Sequence, residues 1–206
     1  MNREPILPQN GSTTPSRAFS ARVVSTEAER LAVYRFRYRV YVEEMGRAPH
    51  DADHARRVLT DALDPTGLLF AAFEGDEVVG TVRLNAAAES DLQYYEGMYQ
   101  MTELAGADLA NSALGTALIV APRYRGTSLA VRLVRMLVRD MASRGLRFLF
   151  VDCNAHLVSY YQRLGGRIHR PRVEHPDYGE VTVLYLDLAD AAWLEASRSP
   201  LRNACA

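Results

Sequence analysis

The hydrophobic residues of this chain follow two periods, and each change of period marks an element. Thr26 and Glu29 stand at capping-box spacing, and Leu31, Tyr34, Tyr38, Tyr41, Val42 and Met45 recur every three or four positions. That pattern predicts an amphipathic helix ending near Gly46. The runs 68–73 and 77–84 are apolar and partly β-branched, and Gly75-Asp76 between them predicts a β-hairpin. A third strand is expected at 113–120. Across 128–143, Leu129, Leu133, Val134, Leu137, Val138 and Met141 share one broad face, while Arg132, Arg135, Arg139 and Asp140 lie mostly elsewhere, as in a helix lying on a sheet. Beyond Gly145 the pattern predicts a short buried strand at 148–151, a helix at 155–164 stopped by Gly165-Gly166, and a last strand at 181–188.

Between these segments the pattern weakens. Residues 1–20 combine Pro5, Pro8 and Pro15 with a Gly-Ser-Thr-Thr cluster and are expected to form a mobile tail. Residues 191–206 are expected to form a second tail, leaving 21–190 as one domain. The stretch 47–64 is polar apart from Val58, Leu59 and Leu63 and reads as a loop with room for a short helix. In 86–112, Tyr94, Tyr95 and Tyr99 cluster before a weakly helical segment interrupted by Gly97 and Gly106. They are candidates either for lining a pocket or for packing a sheet edge. The strands flanking the 128–143 helix should form a parallel, right-handed βαβ unit. The fold class expected is therefore α/β, a mixed central β-sheet flanked by helices, without internal repeats.

Composition narrows the function. With 48% hydrophobic residues, the 206-residue chain can bury one sizeable core. Its formal charge of −1 argues against a nucleic-acid partner. All 24 basic residues are arginine, which excludes a Schiff-base lysine and a Walker-type phosphate lysine. Cys153 and Cys205 are too few for a disulfide framework. No charged-then-apolar leader opens the chain and no apolar run approaches the roughly twenty residues of a membrane span, so a cytoplasmic protein is expected. Oligomeric state is left open.

The most chemical stretch is Arg123-Tyr124-Arg125-Gly126-Thr127-Ser128, between the third strand and the long helix. Gly126 permits close backbone approach, and the helix behind it begins with unpaired N–H groups suited to an anion. A helix dipole alone contributes about 0.3–1 kcal/mol. Arg123 and Arg125 are therefore expected to supply charge-assisted bonds to a pyrophosphate or phosphopantetheine phosphate. The pair His50 and His54 has the spacing of a metal site, but no third ligand cluster accompanies it and no metal is expected. Cys153 lacks a partnered base and reads as a small buried hydrophobe.

A second group of residues follows one βαβ step later: Asn154, then Tyr161-Gln162-Arg163-Leu164-Gly165-Gly166. Together with Arg123 and Gly126 they resemble the GCN5-related N-acetyltransferase superfamily. Ser128 stands where that loop has Gly or Ala, and Gly166 where the helix usually ends in Phe. Further upstream, Arg37-Tyr38-Arg39-Val40-Tyr41-Val42-Glu43-Glu44-Met45, Asp61, Asp64 and Gly80-Thr81-Val82-Arg83-Leu84 look like the long-chain N-acyl amino acid synthases and the acyl-homoserine-lactone synthases. Those relatives carry a Glu and an Arg on the strand before the cofactor loop, where this chain has Leu114-Gly115-Thr116-Ala117.

The resemblance implies direct transfer of an acyl group, from acyl-CoA or from the phosphopantetheine of an acyl carrier protein, to the amine of a small acceptor such as an amino acid. It implies that backbone N–H groups of Ile119, Val120 and Ala121 polarise the thioester carbonyl. Thr127, Ser128 and Asn154 complete the cofactor site, and Tyr161 is the motif-matched general acid for the leaving thiolate. Arg37 and Arg83 are candidates for holding an acceptor carboxylate, and Asp61 and Asp64 for orienting its ammonium. The proton acceptor is open among Glu103, Asp108, Asp61, Asp64 and a water. An acetyl-CoA-dependent acetyltransferase and a non-catalytic thioester-binding module are the alternatives.

Overall fold

The computed structural model describes residues 19–92 and 94–204. In chain order its elements are β1 (Ser20–Val23), α1 (Glu27–Tyr38), β2 (Ala52–Asp53), β3 (Val58–Leu59), β4 (Leu68–Glu74), β5 (Glu77–Ala86), α2 (Tyr94–Tyr99) and β6 (Ser112–Val120). They continue with α3 (Leu129–Ser143), β7 (Phe148–Cys153), α4 (Val158–Arg163), β8 (Arg167–His175), β9 (Gly179–Asp187) and α5 (Ala191–Ala196). Seven strands form one sheet in the order β1-β4-β5-β6-β7-β9-β8. Only β6 and β7 run parallel, and α3 connects them as the expected βαβ unit.

That one parallel seam is short. Residues 112–114 pair with 148–150, and beyond them the two strands separate. On the other side of β6 the ladder with β5 continues to Val120, interrupted by a bulge where Ala117 adopts φ +51°. The bulge re-aims the end of β6 while keeping it tied to β5.

The two faces of the sheet are covered differently. The apolar stripe of α3 is buried against one face, together with Leu149, Val151 and Cys153 of β7. Gly80 lets α3 approach: a Cβ there would lie 2.5 Å from Leu129 Cδ2 and 3.1 Å from Leu133 Cδ1. Tyr95, Met98 and Tyr99 of α2 and Leu63 cover the opposite face, against Phe148 and Phe150.

The capping box forms as expected: Glu29 N–H donates to Thr26 Oγ1 at 3.2 Å and Thr26 N–H to Glu29 Oε2 at 3.3 Å. The helix expected to reach Gly46 does so in two parts, because α1 passes into a π-helical turn over Arg39–Glu44, closed by Met45 N–H to Val40 C=O at 3.0 Å. The loop at 47–64 contains the small β2–β3 hairpin, and the expected 155–164 helix is a 3₁₀ turn followed by α4. β8, absent from the sequence expectations, is an edge strand.

The expected tail after residue 190 is instead part of the body. Asp190 caps α5 through Trp193 N–H at 2.9 Å, Trp193 Nε1 donates to Gly165 C=O at 2.8 Å, and Leu194 and Leu201 are buried. One buried leucine within the helix, a second beyond its end and a polar cap before it are enough to dock so short a helix. Of the expected N-terminal tail, Ser20 already pairs with Phe73 in β1, while residues 1–18 lie outside the described residues, as does Cys205.

Because Leu129 and Leu133 are fully buried, a methyl group at position 80 must displace packed side chains. Gly80→Ala is expected to destabilise the fold by about 1–3 kcal/mol, read as a lowered urea midpoint with an unchanged denaturant slope.

Candidate functional site

The loop at the head of α3 has the local geometry of an anion cradle. Gly126 sits at φ +76°, a conformation that favours glycine, and turns the chain into the helix. Thr127, rather than Ser128, does the capping: its hydroxyl donates to Tyr124 C=O at 2.6 Å and accepts from Leu129 N–H at 3.3 Å. Among the described residues the N–H groups of Gly126, Ser128, Ala130 and Val131 make no protein hydrogen bond. They are the donors that such a turn offers to a phosphate.

The arginines of this loop are both engaged. Arg123 reaches back to the β4–β5 hairpin, where Nη2 meets Glu74 at 2.9 Å and Glu77 at 2.7 Å. Arg125 bonds Val120 C=O through Nε at 3.1 Å and pairs with Glu44 at 2.5 Å. A phosphate must therefore compete with Glu44 for Arg125, and Arg123 points away from the cradle because two carboxylates outbid the turn for it.

A cavity of about 280 Å³ opens where β6 and β7 separate. Of the residues expected from sequence, Ile119, Asn154, Tyr161, Arg37, Asp61 and Arg83 line it, whereas Asp64 lies behind two of them and the cradle lies outside it. Ala121 N–H is spent on Val79 C=O at 2.9 Å, and Ile119 pairs with Thr81 in the same ladder. Alternation along the strand then directs the Val120 N–H away from β5, toward the side that β7 has vacated. Of the three expected backbone donors, Val120 is thus the one aimed at the gap. Asn154 is tied into the surrounding loops: its Nδ2 donates to the carbonyls of Tyr178 and Glu180 at 3.1 Å each, and its Oδ1 accepts from Arg47 at 2.9 Å.

One wall of the cavity is an ion network. Arg83 bonds Asp61 at 2.5 and 2.8 Å, Asp64 at 2.8 Å and Thr116 Oγ1 at 3.0 Å, while Arg37 bonds Asp64 at 2.7 and 3.0 Å. Arg83, Arg37 and Asp64 are 1%, 2% and 4% exposed, but the Asp61 side chain is 38% exposed. Asp61 is thus the most exposed of the four, while Nε and Nη2 of Arg37, which also lines the cavity, have no hydrogen-bond partner among the described residues. Burial pushes the Asp64 carboxyl up, yet Arg37 and Arg83 outweigh it and hold the group below the usual carboxylate range. Gly67 packs over this wall, since a Cβ there would fall 2.5 Å from Arg83 Cδ.

Tyr161 enters the cavity from α4. Burial, reinforced by Cys153 and Asp152 nearby, raises its hydroxyl well above the usual tyrosine value, so it stays a phenol and a donor. Cys153 is buried and its thiol is pushed up to about 12 by desolvation, which leaves it protonated and unsuited to attack a thioester. His50 bonds Asp177 at 2.9 Å and His54 bonds Tyr38 at 2.8 Å, so the two histidines turn to separate partners.

Sequence reading passed over Asp152. It lies on β7 between Val151 and Cys153, lines the cavity, and accepts a 2.5 Å hydrogen bond from Tyr99 Oη. Alternation places it on the α2 face with Phe148 and Phe150, whereas Cys153 and Tyr161 belong to the α3 face. The signal was available: an ionisable residue directly after the run Phe148-Leu149-Phe150-Val151 and before Cys153, with both neighbours apolar. Aromatic residues crowd this end of the cavity, with Tyr41 stacked on Tyr178 and Arg47 Cζ 4.7 Å above the Tyr178 ring.

Comparison with known proteins places this geometry. A profile of the family described as N-acyl amino acid synthase FeeM matches residues 32–187. FeeM, an N-acyl amino acid synthase from uncultured soil microbes, has a solved structure that aligns with a TM-score of 0.66 at 17% identity, over 90% of this chain and 97% of that one. MesI, a CoA-dependent acyl-homoserine lactone synthase, aligns at 0.64 and 23% identity, over 87% and 93%. Escherichia coli ElaA aligns at 0.59 and 15%, over 82% and 100%. These structures share the fold, and no curated protein sequence matches the chain.

Removing Asp64 leaves two buried guanidinium groups short of a partner. Asp64→Asn is expected to cost about 3–5 kcal/mol at neutral pH. Because the native state holds this carboxyl below its unfolded value near 3.9, the network's contribution is present above about pH 4 and is lost as pH falls through the native value. Urea unfolding between neutral and acid pH should show that loss in the wild type and a flatter acid limb in Asp64→Asn.

Proposed function

The chain belongs to the N-acyl amino acid synthase FeeM family and has the GCN5-related acyltransferase fold, and on that footing we propose that it transfers an acyl group from acyl-CoA, or from a carrier-bound thioester, directly to the amine of a small acceptor such as an amino acid. The observation that carries the reading is the gap between β6 and β7, which joins two differently equipped faces of the sheet in one cavity.

On the α3 side lie the cradle and Tyr161. The free N–H groups from Gly126 to Val131 suit the phosphates of a coenzyme A or phosphopantetheine donor, whose thioester arm then runs toward the gap. A small apolar void of about 20 Å³, which shares Gly115, Leu118 and Tyr161 with the main cavity, continues toward Val134 and Leu137 and suits the start of an acyl chain. The Val120 N–H faces the place where a thioester carbonyl would develop negative charge, and the Tyr161 hydroxyl faces the sulfur that leaves.

On the other side, Asp61 offers a carboxylate to the acceptor's ammonium, and Arg47, stacked on Tyr178, is the cation open to an acceptor carboxylate. Arg83 holds Asp61 in place directly, and Arg37 does so through Asp64. Transfer is direct, because Cys153 is protonated and no activated nucleophile lines the gap among the described residues.

The test is release of free thiol from acyl-CoA and acyl-carrier thioesters of graded chain length, with pooled amino acids and intact-mass detection of the amide. Amine-dependent thiol release is expected, and its absence with every thioester would overturn the reading. Tyr161→Phe is expected to lower kcat about a hundred-fold or more while leaving the KM for the donor unchanged.

A further inference from the structure

The acceptor reaches the gap as an ammonium and must lose a proton before its nitrogen can attack. Four carboxylates line the cavity: Asp51, Asp61, Asp152 and Asp177. Asp61 accepts two bonds from Arg83 and one from Leu63 N–H, so its oxygens are already engaged by donors of the wall. Asp177 accepts from His50 at 2.9 Å, and Asp51 pairs with the same histidine at 3.2 Å. Asp152 differs from all three: neither an arginine nor a histidine bonds it, and its one side-chain donor among the described residues is Tyr99.

Position favours it as well. Asp152 stands at the end of β7 where the seam has opened, on the face of the sheet opposite Tyr161, so the gap lies between the two. Resting on the acyl-transfer reading above, we propose that Asp152, held in place by Tyr99, is the general base that takes the proton from the acceptor ammonium. The amine then attacks the thioester carbonyl, forming the C–N bond. As the C–S bond breaks, the sulfur takes the Tyr161 proton, and Tyr161 recovers one from the new amide nitrogen. One proton, the one held by Asp152, leaves to water per turnover.

The groups facing Asp152 set the direction of its titration. They are Tyr95 and Tyr99 from α2, His175 from β8, Arg47 from the loop after α1, Tyr41 from the π-helical turn, Tyr161 from α4, and Cys153 beside it. Burial pushes the carboxyl above the usual range, while the Tyr99 bond, His175 and Arg47 pull it back down. Burial pushes the His175 imidazole below its ordinary value, and its Nδ1 accepts from Asp177 N–H at 3.1 Å, leaving Nε2 toward the Tyr94 and Tyr95 hydroxyls at 3.4 and 3.5 Å. The base form of Asp152 therefore appears as pH rises, and loss of the Tyr99 bond moves that transition to higher pH.

Two measurements decide the assignment. In the acyl-transfer assay, Asp152→Asn, which preserves size and can still accept from Tyr99, is expected to lower kcat/KM about a hundred- to ten-thousand-fold and to remove the acidic limb of the pH profile. Donor binding, followed by titration with coenzyme A, should be unchanged. Tyr99→Phe should retain activity with the acidic limb displaced upward. An undiminished rate in Asp152→Asn, or an acidic limb that persists there, would overturn the proposal. Independently, ¹³C-carboxyl aspartate spectra of the whole chain, assigned by difference from Asp152→Asn, should show a group titrating above the ordinary value of about 3.9 and moving further up in Tyr99→Phe. Titration at or below that value overturns the proposal even if the assay is silent. A wild-type chain that turns over no thioester overturns the acyl-transfer reading and the role of Asp152 with it, whereas wild-type turnover that survives in Asp152→Asn overturns the role of Asp152 alone.

Discussion

The parting of β6 and β7 after residues 112–114 and 148–150 is the constraint on which the rest of this structure depends. A parallel ladder broken in mid-sheet leaves backbone groups of both strands without each other, and a cavity forms where main-chain bonds would otherwise lie. The sheet tolerates the break because each strand is secured on its other side, β6 to β5 through Val120 and β7 to β9 through Cys153. The bulge at Ala117 turns the end of β6 without releasing it from β5. The opening is thus a rigid feature of two anchored strands, suited to holding reacting groups at fixed separations.

What surrounds the opening follows from the need to put charge inside a protein. Two arginines and two aspartates meet at one wall, and three of the four are almost wholly buried. A well-packed apolar filling would stabilise the fold at least as well. The network's distinctive product is Asp61, a carboxylate fixed at the cavity surface by two bonds from Arg83. Asp152 is the opposite case, a carboxylate kept from arginines and supported by a single phenol, and therefore able to change protonation state. Two acids in one cavity are thus given opposite partners, a guanidinium for Asp61 and a phenol for Asp152.

The parts of this arrangement that depend on local periodicity were readable from the chain. The α3 stripe, the β4–β5 hairpin and the Thr26–Glu29 capping box each rest on residues near one another in sequence. The Gly126 turn was readable for the same reason. β8 was not: Arg167-Ile168-His169-Arg170-Pro171-Arg172-Val173 is an edge strand with little burial, so its charges hide its period. The pairing of Arg123 with Glu74 and Glu77 comes from a hairpin some fifty residues away, and no spacing rule announces it. Asp152 was visible as an acid in an apolar strand, but its meaning required Tyr99, which belongs to a segment whose pattern is weak. Residues 191–206 were read as a tail because α5 is too short to display a period, although Leu194 and Leu201 are buried.

On the proposed reading, donor and acceptor meet through the gap in the sheet, with the acyl carbonyl between the two faces. A crystal structure with a donor analogue in which a methylene group replaces the thioester sulfur tests this most directly. The account predicts phosphates on the N–H groups from Gly126 to Val131, the acyl carbonyl oxygen about 3 Å from the Val120 nitrogen, and the replacement methylene beside the Tyr161 hydroxyl. An analogue whose acyl group lies outside the gap, with its carbonyl distant from Val120 and its chain on the outer surface, would contradict it.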